Sequence, residues 1–161
     1  MALVQVRELE LQSANPARYV DGFRWRIKLT ALTQLRSPVE VRFIWVGSEF
    51  SNAHDQLLDE LEVGPCTVGD NEFTVDIDPP NWKLIPPNEV LGLTVLQIVF
   101  LYEGAAFLTV GYYVNVAYFN DDMNSRPPAI VNDSLLGRNL LIAKPAVTTH
   151  SIGWGDVDED E

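Results

Sequence analysis

The fold class is decided by LTVLQIVFLY (residues 93–102), which is followed after EGAA by FLTVGYYVNV (residues 107–116). Both segments are rich in β-branched and aromatic residues, and the short connection between them predicts a β-hairpin. Successive side chains of a strand point to opposite faces, so one parity of each segment must face the core. Its members are apolar on both strands: Leu96, Ile98, Phe100 and Tyr102, and Leu108, Val110, Tyr112 and Val114.

The other parity of the hairpin predicts an exposed face that carries one large aromatic side chain. Tyr113 belongs to this face, together with Val95 from the partner strand, and Gly111 beside it leaves room for another backbone to approach. Two interpretations remain open for this patch. A C-terminal segment of the same chain covers it, or it is a binding site for a partner.

The rest of the chain repeats the same period of two. FRWRIKLTAL (23–32) and VEVRFIWV (39–46) alternate strictly, Phe73 begins a third alternating run, and residues 4–11 predict a first strand with a bulge near Arg7. SNAHDQLLDEL (51–61) has some helical propensity, but the following VGP ends it quickly, so a helix there is the less favoured alternative. With frequent Pro and Gly between short strands, we expect one all-β domain over residues 1–154, an immunoglobulin-like antiparallel β-sandwich with a few short helices in its loops.

The charge of the chain is acidic and unevenly distributed. The net charge is −12; residues 43–82 contain nine acids and no Lys or Arg, whereas seven of the 11 bases lie in the first 42 residues. This distribution disfavours direct binding to nucleic acid and favours basic protein partners. Residues 155–161 contain five acids, which predicts a short disordered acidic tail.

Motifs for catalysis, metal binding or membrane insertion are weak throughout the sequence. His54 and His150 lack partners at metal-ligand spacing, and the single Cys66 is more typical of a core residue than of a nucleophile assisted by either histidine. We therefore expect no enzymatic activity, metal or cofactor. The longest apolar run, residues 90–101, is too short for a membrane helix, and the N-terminus lacks a secretory pattern, so we expect a nuclear or cytosolic protein.

Eight short segments resemble one known family in their order and spacing. They are VQV (4–6), VGS (46–48), DQLLDELEVGP (55–65), LIP (84–86), LGLTV (91–95), VGYYVN (110–115), PAVT (145–148) and IGW (152–154). Over residues 1–154 the chain resembles the anti-silencing-function family of histone chaperones. This resemblance implies a monomeric, non-enzymatic protein that binds a dimer of histones three and four for nucleosome assembly and disassembly. It also implies a nuclear location with an additional cytoplasmic pool.

The resemblance implies three sets of binding residues. Histone three is expected on a concave face at Asp55, Val95, Thr109 and Tyr113. The tail of histone four is expected to add as a strand near Leu141, Pro145, Val147 and Thr148, which is β-augmentation. Partner histone chaperones are expected on the opposite side of the sandwich at Leu61, Val63 and Phe73.

Several positions depart from the pattern of the family. Thr109 and Ala146 stand where the family usually has arginine, Ser37-Pro38 stands where it often has an acidic pair, and Gln97 replaces an apolar residue. Phe50 and Asn52 replace acidic residues. Each lost charge-assisted hydrogen bond is worth about 1.5–3 kcal/mol when well formed. The alternative function is therefore a divergent β-sandwich adaptor that binds non-histone chromatin proteins by strand addition.

Overall fold

The computed structural model describes residues 2–47 and 54–154, whose regular secondary structure consists almost entirely of β-strands. The predicted tail and the departures at Phe50 and Asn52 lie outside these residues. The strands are β1 (Val4–Leu11), β2 (Ala17–Arg18), β3 (Phe23–Ala31), β4 (Val39–Val46), β5 (Gln56–Val63), β6 (Gly69–Ile77), β7 (Gly92–Tyr102), β8 (Ala105–Tyr118), β9 (Leu136–Leu140) and β10 (Ala146–Thr149). Two single 3-10 turns (Trp82–Leu84 and Pro87–Glu89) and a short helix, α1 (Asp121–Ser125), lie in the connections.

The strands form two antiparallel sheets that face each other across one core. The three-stranded sheet has the order β1-β3-β6. The seven-stranded sheet has the order β2-β9-β8-β7-β4-β5, and β10 pairs with the same strand, β8, as β9 does. This arrangement confirms the predicted immunoglobulin-like antiparallel sandwich with few helices.

The core is formed by the apolar parity of each central strand. Along β3 the residues alternate strictly between buried and partly exposed positions, and along β4 the pattern is the same. Trp25 of β3 contributes to the contact between the sheets, because its ring lies 5.3 Å from that of Tyr112 and 6.4 Å from that of Phe43. Such aromatic contacts add to the free energy gained by burying apolar area.

Two local expectations have clear outcomes. The first strand is present, and its register shifts between Val6 and Glu8 as the bulge prediction requires. The helical alternative for residues 51–61 is wrong where the structure describes them, because residues 56–63 form β5. The strand gains a full antiparallel ladder with β4, and this tertiary pairing outweighs a short segment's helical propensity.

A buried arginine holds the turn between β2 and β3. Arg138 of β9 points into the core, and its guanidinium carbon lies 3.8 Å from the centre of the Phe23 ring. Burial lowers the pKa of Arg138 to about 10, so the side chain still carries its charge at neutral pH. Its nitrogens donate to the backbone carbonyls of Arg18, Tyr19, Asp21 and Gly22. Four carbonyl acceptors offset much of the cost of burying this charge.

The basic residues of β3 are paired across the exposed face of the three-stranded sheet. Arg24 bonds Asp76 at 2.7 Å, and Arg26 bonds carboxylates on both neighbouring strands. Lys28 lies 3.6 Å from Asp70. These pairs are exposed and add little stability, but they neutralise three of the bases in the first 42 residues.

Candidate functional site

The exposed parity of the hairpin forms the centre of the outer face, the side of the seven-stranded sheet that is turned away from the core. Val95 of β7 and Tyr113 of β8 are direct cross-strand partners. Tyr113 is 44% exposed, whereas its neighbour Tyr112 is only 4% exposed. The predicted burial of Tyr112 and exposure of Tyr113 are therefore confirmed.

Around this pair the outer face has a shallow apolar depression, which we call the central patch. Its volume is about 120 Å³, and it is lined by Val46, Leu93, Thr94, Val95 and Tyr113. The Thr94 hydroxyl donates to the carbonyl of Val46, so β7 is tied to the end of β4 at this point. A depression of this size suits one apolar side chain of a partner better than a small-molecule ligand.

The backbone that lies beside Gly111 belongs to the same chain. Ala146 of β10 is the cross-strand partner of Gly111, and a Cβ placed on Gly111 would lie 3.4 Å from Val95 Cγ1. The C-terminal segment, however, runs beside β8 in the plane of the sheet. Leu141 donates its N–H to the carbonyl of Tyr113 at 2.8 Å, and the Tyr113 side chain remains exposed. The interpretation that this segment covers the patch is therefore wrong for the described residues.

Asp55 lies at the edge of the central patch. It immediately precedes β5, whose first residue pairs with Trp45, and this places Asp55 beside Val46. Partial burial raises the pKa of Asp55, and a hydrogen bond with the backbone of Gly47 lowers it by a smaller amount. The structure therefore brings Asp55, Val95 and Tyr113 to one region of the outer face.

Thr109 lies on the same face, two rows from Tyr113, with the row of Gly111 and Gln97 between them. The row of Thr109 runs through the cross-strand partners Thr148, Thr109, Val99, Arg42 and Glu60. The Arg42 guanidinium bonds the Glu60 carboxylate and lies 3.7 Å from Glu40. Arg42 is thus a base two strands away from Thr109, but Glu40 and Glu60 on the same face already pair with Arg42.

The four residues expected to bind histone four lie along the C-terminal edge of the sandwich. Val147 and Thr148 are exposed members of β10, Leu141 is exposed beside Tyr113, and Pro145 directly precedes β10. Among the described residues β10 pairs only with β8, so its second edge is open. Beside it a cavity of about 450 Å³ separates β1 from the residues after β10. The apolar part of its lining comprises Ala2, Val4, Val6, Phe107, Leu108, Ile152 and Trp154.

The three residues expected to bind partner chaperones lie on the other side of the molecule. Leu61 and Val63 belong to β5, the last strand of the large sheet, and Phe73 belongs to β6, the last strand of the small sheet. All three are partly buried against the core. Among the described residues, β5 and β6 each have one unpaired backbone edge, and strand addition requires such an edge.

Groups that could support catalysis or metal binding are not assembled in the described ranges. Burial raises the pKa of the Cys66 thiol, which disfavours the thiolate that a nucleophile needs. Across residues 2–47 and 54–154, no three His, Cys, Asp or Glu side chains are grouped so as to hold a metal ion. No helix in those ranges is long and apolar enough to cross a membrane.

Sequence reasoning missed two apolar residues of the outer face. Leu93 is 57% exposed in the central patch, and Leu57 of β5 is exposed opposite Ile44. For Leu93 the parity of β7 was a usable signal, because it matches Val95. For Leu57 no such signal was present in the sequence, because a register shift between Phe43 and Ile44 changes which β5 side chains point outward.

Fold and surface together define the class of this protein: an immunoglobulin-like β-sandwich with an apolar patch exposed on the outer face of its larger sheet. Comparison with known proteins specifies the class further. The family model described as ASF1 like histone chaperone matches residues 1–155, and the chain belongs to this family.

Relatives named Histone chaperone ASF1 agree with this assignment. One from Coccidioides immitis is 40% identical over 160 residues, which is 99% of this chain and 57% of the relative. One from Chaetomium globosum is 41% identical over 140 residues (87% and 51%), and one from Saccharomyces cerevisiae is 39% identical over 147 residues (91% and 53%). The chain spans about half the length of these curated relatives.

Proposed function

We propose that the protein is a nuclear histone chaperone, with a cytoplasmic pool, that binds a dimer of histones three and four for nucleosome assembly and disassembly. The observation that carries this proposal is the exposed Tyr113 beside the partly exposed Val95 on the outer face of a member of a histone chaperone family. Burying Tyr113 contributes about 2–3 kcal/mol of binding free energy. The mechanism is equilibrium binding: the chaperone covers the tetramer-forming surface of the dimer and passes the dimer to deposition factors.

For histone three we propose a binding site on the outer face, at Asp55, Val95 and Tyr113 in or beside the central patch and at Thr109 farther along β8. The apolar centre supplies specificity, since a desolvated aromatic at an interface centre is the usual energetic hot spot. Partial burial raises the pKa of the Asp55 carboxyl, so a basic group of the partner placed beside it stabilises the ionised form.

For histone four we propose strand addition to the open edge of β10, with contacts at Leu141, Pro145, Val147 and Thr148. Main-chain hydrogen bonds supply affinity in this mode, and side-chain pockets fix the register. The apolar cavity beside β10 offers such a pocket. Partner chaperones are proposed at the opposite edge, on Leu61, Val63 and Phe73.

The first test is calorimetric titration of the histone dimer into wild-type protein and the Val95→Arg variant. We expect the variant to bind at least about 100-fold more weakly, because a charge is placed in the apolar centre without a partner. Val68→Arg is the matched control, since Val68 is exposed in the β5–β6 loop, away from the central patch. Unchanged binding by Val95→Arg places the histone site elsewhere.

The second candidate function is the adaptor for non-histone chromatin proteins. It is favoured by Thr109 and Ala146, which stand where the family usually has arginine. Thr109 pairs with Thr148 and Ala146 pairs with Gly111, so neither position supplies a positive charge between β8 and β10. Titration at moderate salt separates the two functions. No saturable complex with the histone dimer at micromolar concentration supports the adaptor.

A further inference from the structure

A second exposed aromatic residue, Phe119, lies at the end of β8 that is remote from the hairpin turn. Odd-numbered residues of β8 from Thr109 to Ala117 point outward, and Phe119 continues this parity just beyond the strand. It is 57% exposed. Its N–H donates to the carbonyl of Leu135 at 2.9 Å, which places it opposite Leu135, a residue that is itself 39% exposed.

Gly137 holds the Phe119 ring in place. A Cβ built on Gly137 would lie only 2.5, 2.7 and 2.9 Å from the Cζ, Cε1 and Cε2 atoms of that ring. The end of the ring therefore rests on the backbone of β9, and it covers Gly137, which is buried. An aromatic that is already fixed in the free protein loses little conformational entropy when a partner covers its exposed part.

The charges next to Phe119 are mostly acidic. Asp121 and Asp122 follow it in the first turn of α1 and are exposed. Of the nearby bases, Arg18 is paired with Asp21 at 2.9 Å, and Arg126 lies at the far end of α1. An apolar contact bordered by exposed carboxylates is complementary to a basic amphipathic segment.

The contact lies on the same face as the central patch, farther along β8. Six residues of extended strand separate Tyr113 from Phe119, which corresponds to about 20 Å. The outward side chains between them, Asn115 and Ala117, are short. A helix of about 13 residues spans the same distance, so a single amphipathic helix can reach both aromatics.

We propose that Phe119 and Leu135 form a second apolar contact for the histone dimer, which receives a basic amphipathic helix of that dimer extending beyond the central patch. This proposal rests on the proposed function. It makes Phe119 a specificity-determining residue and Gly137 its positioning residue.

Site-specific photocrosslinking tests the proposal in the presence of the histone dimer. A benzophenone amino acid is placed at Phe119, at Leu93 in the central patch, and at Val68 as the control. We expect histone adducts from positions 93 and 119 and none from 68. Adducts from 93 without adducts from 119 overturn this inference while the proposed function stands, whereas adducts from neither overturn both. A covalent dimer of this chain formed at 119 shows that a second copy occupies the contact, and it also overturns the inference.

Affinity measurements give an independent readout. Phe119→Ser is expected to raise the Kd for the histone dimer about tenfold, as for a truncated interfacial aromatic, while Val68→Ser leaves it unchanged. Gly137→Ala retains the aromatic but displaces its ring, so it should also raise the Kd. Because both changes can affect folding, thermal unfolding is measured alongside. An unchanged Kd for folded Phe119→Ser contradicts the proposal.

Discussion

Tyr112 and Tyr113 are adjacent in sequence but act in different places. Tyr112 packs against Trp25 in the core, and Tyr113 faces solvent in the central patch. Tyr112→Ala is therefore expected to lower the free energy of unfolding by about 3–5 kcal/mol, as for other large aromatics truncated in a core. Tyr113→Ala should change it by less than about 0.5 kcal/mol. Urea denaturation of both variants measures this difference.

The histone affinity should show the reverse order. Tyr113→Ala is expected to weaken binding of the dimer at least about tenfold, and the conservative Tyr113→Phe should retain most of the affinity because the ring remains. Stability losses of similar size in the two alanine variants would contradict the assigned burial. Equal affinity of Tyr113→Ala and wild type would contradict the proposed role of the central patch.

At the residue scale, strand parity alone predicted the centre of the central patch, the pair Val95 and Tyr113. It assigned Val95 and Tyr113 to one face because side-chain alternation is set by backbone geometry. It did not extend to Phe119, since the predicted strand ended at Val116 and nothing local reports that Gly137 makes room for a ring. Arg138 was also missed, because a lone arginine gives no sign that four carbonyls will surround it.

At the element scale, the hairpin of β7 and β8 depends on one tight turn. Glu103 and Gly104 join β7 to β8 with φ values of 50° and 83°, so both occupy the left-handed region typical of a type I′ turn. A Cβ on Gly104 would meet no atom within 4 Å, so Gly104→Ala is strained by backbone conformation alone. We expect it to lower the free energy of unfolding by about 1–2 kcal/mol.

Gly153→Ala is the matched control for this turn. A Cβ on Gly153 likewise meets no atom within 4 Å, but Gly153 does not have a positive φ. Its substitution should be neutral within about 0.5 kcal/mol, and chemical denaturation compares the two variants. The lower entropy of the unfolded chain favours folding in both variants, so equal losses of stability would contradict a cost set by the turn conformation.

The sequence predicted the elements better than it predicted their pairing. Each of β1, β3, β4, β7 and β8 was indicated by its own period of two. That residues 56–63 are a strand and that β10 pairs with β8 depended on partners distant in sequence, which local propensity cannot report. For the same reason the room beside Gly111 was predicted, but contact with a C-terminal segment was only one of two alternatives, and its pairing through Ala146 was not predicted.

At the scale of the whole molecule, charge is segregated between the two sheets. The bases of β3 are neutralised by pairs on the outside of the three-stranded sheet, whereas Asp55, Glu40 and Glu60 lie on or beside the outer face of the other sheet with one paired arginine among them. These residues leave the outer face around the central patch with more acids than bases, whereas the bases of β3 are paired on the opposite side. This asymmetry favours approach of a basic partner in the binding orientation.

Association with the histone dimer should consequently depend on salt through its rate of formation. Raising ionic strength from about 50 to 500 mM shortens the Debye length several-fold, and we expect the association rate constant to fall about tenfold or more. The dissociation rate constant should change little, because it reflects the desolvated contacts of the central patch. Stopped-flow fluorescence measures both constants, and Tyr113→Ala should raise dissociation while leaving the salt slope of association intact. If salt acts mainly on dissociation, the charged groups lie inside the contact instead of around it, and the apolar centre at Val95 and Tyr113 is misplaced.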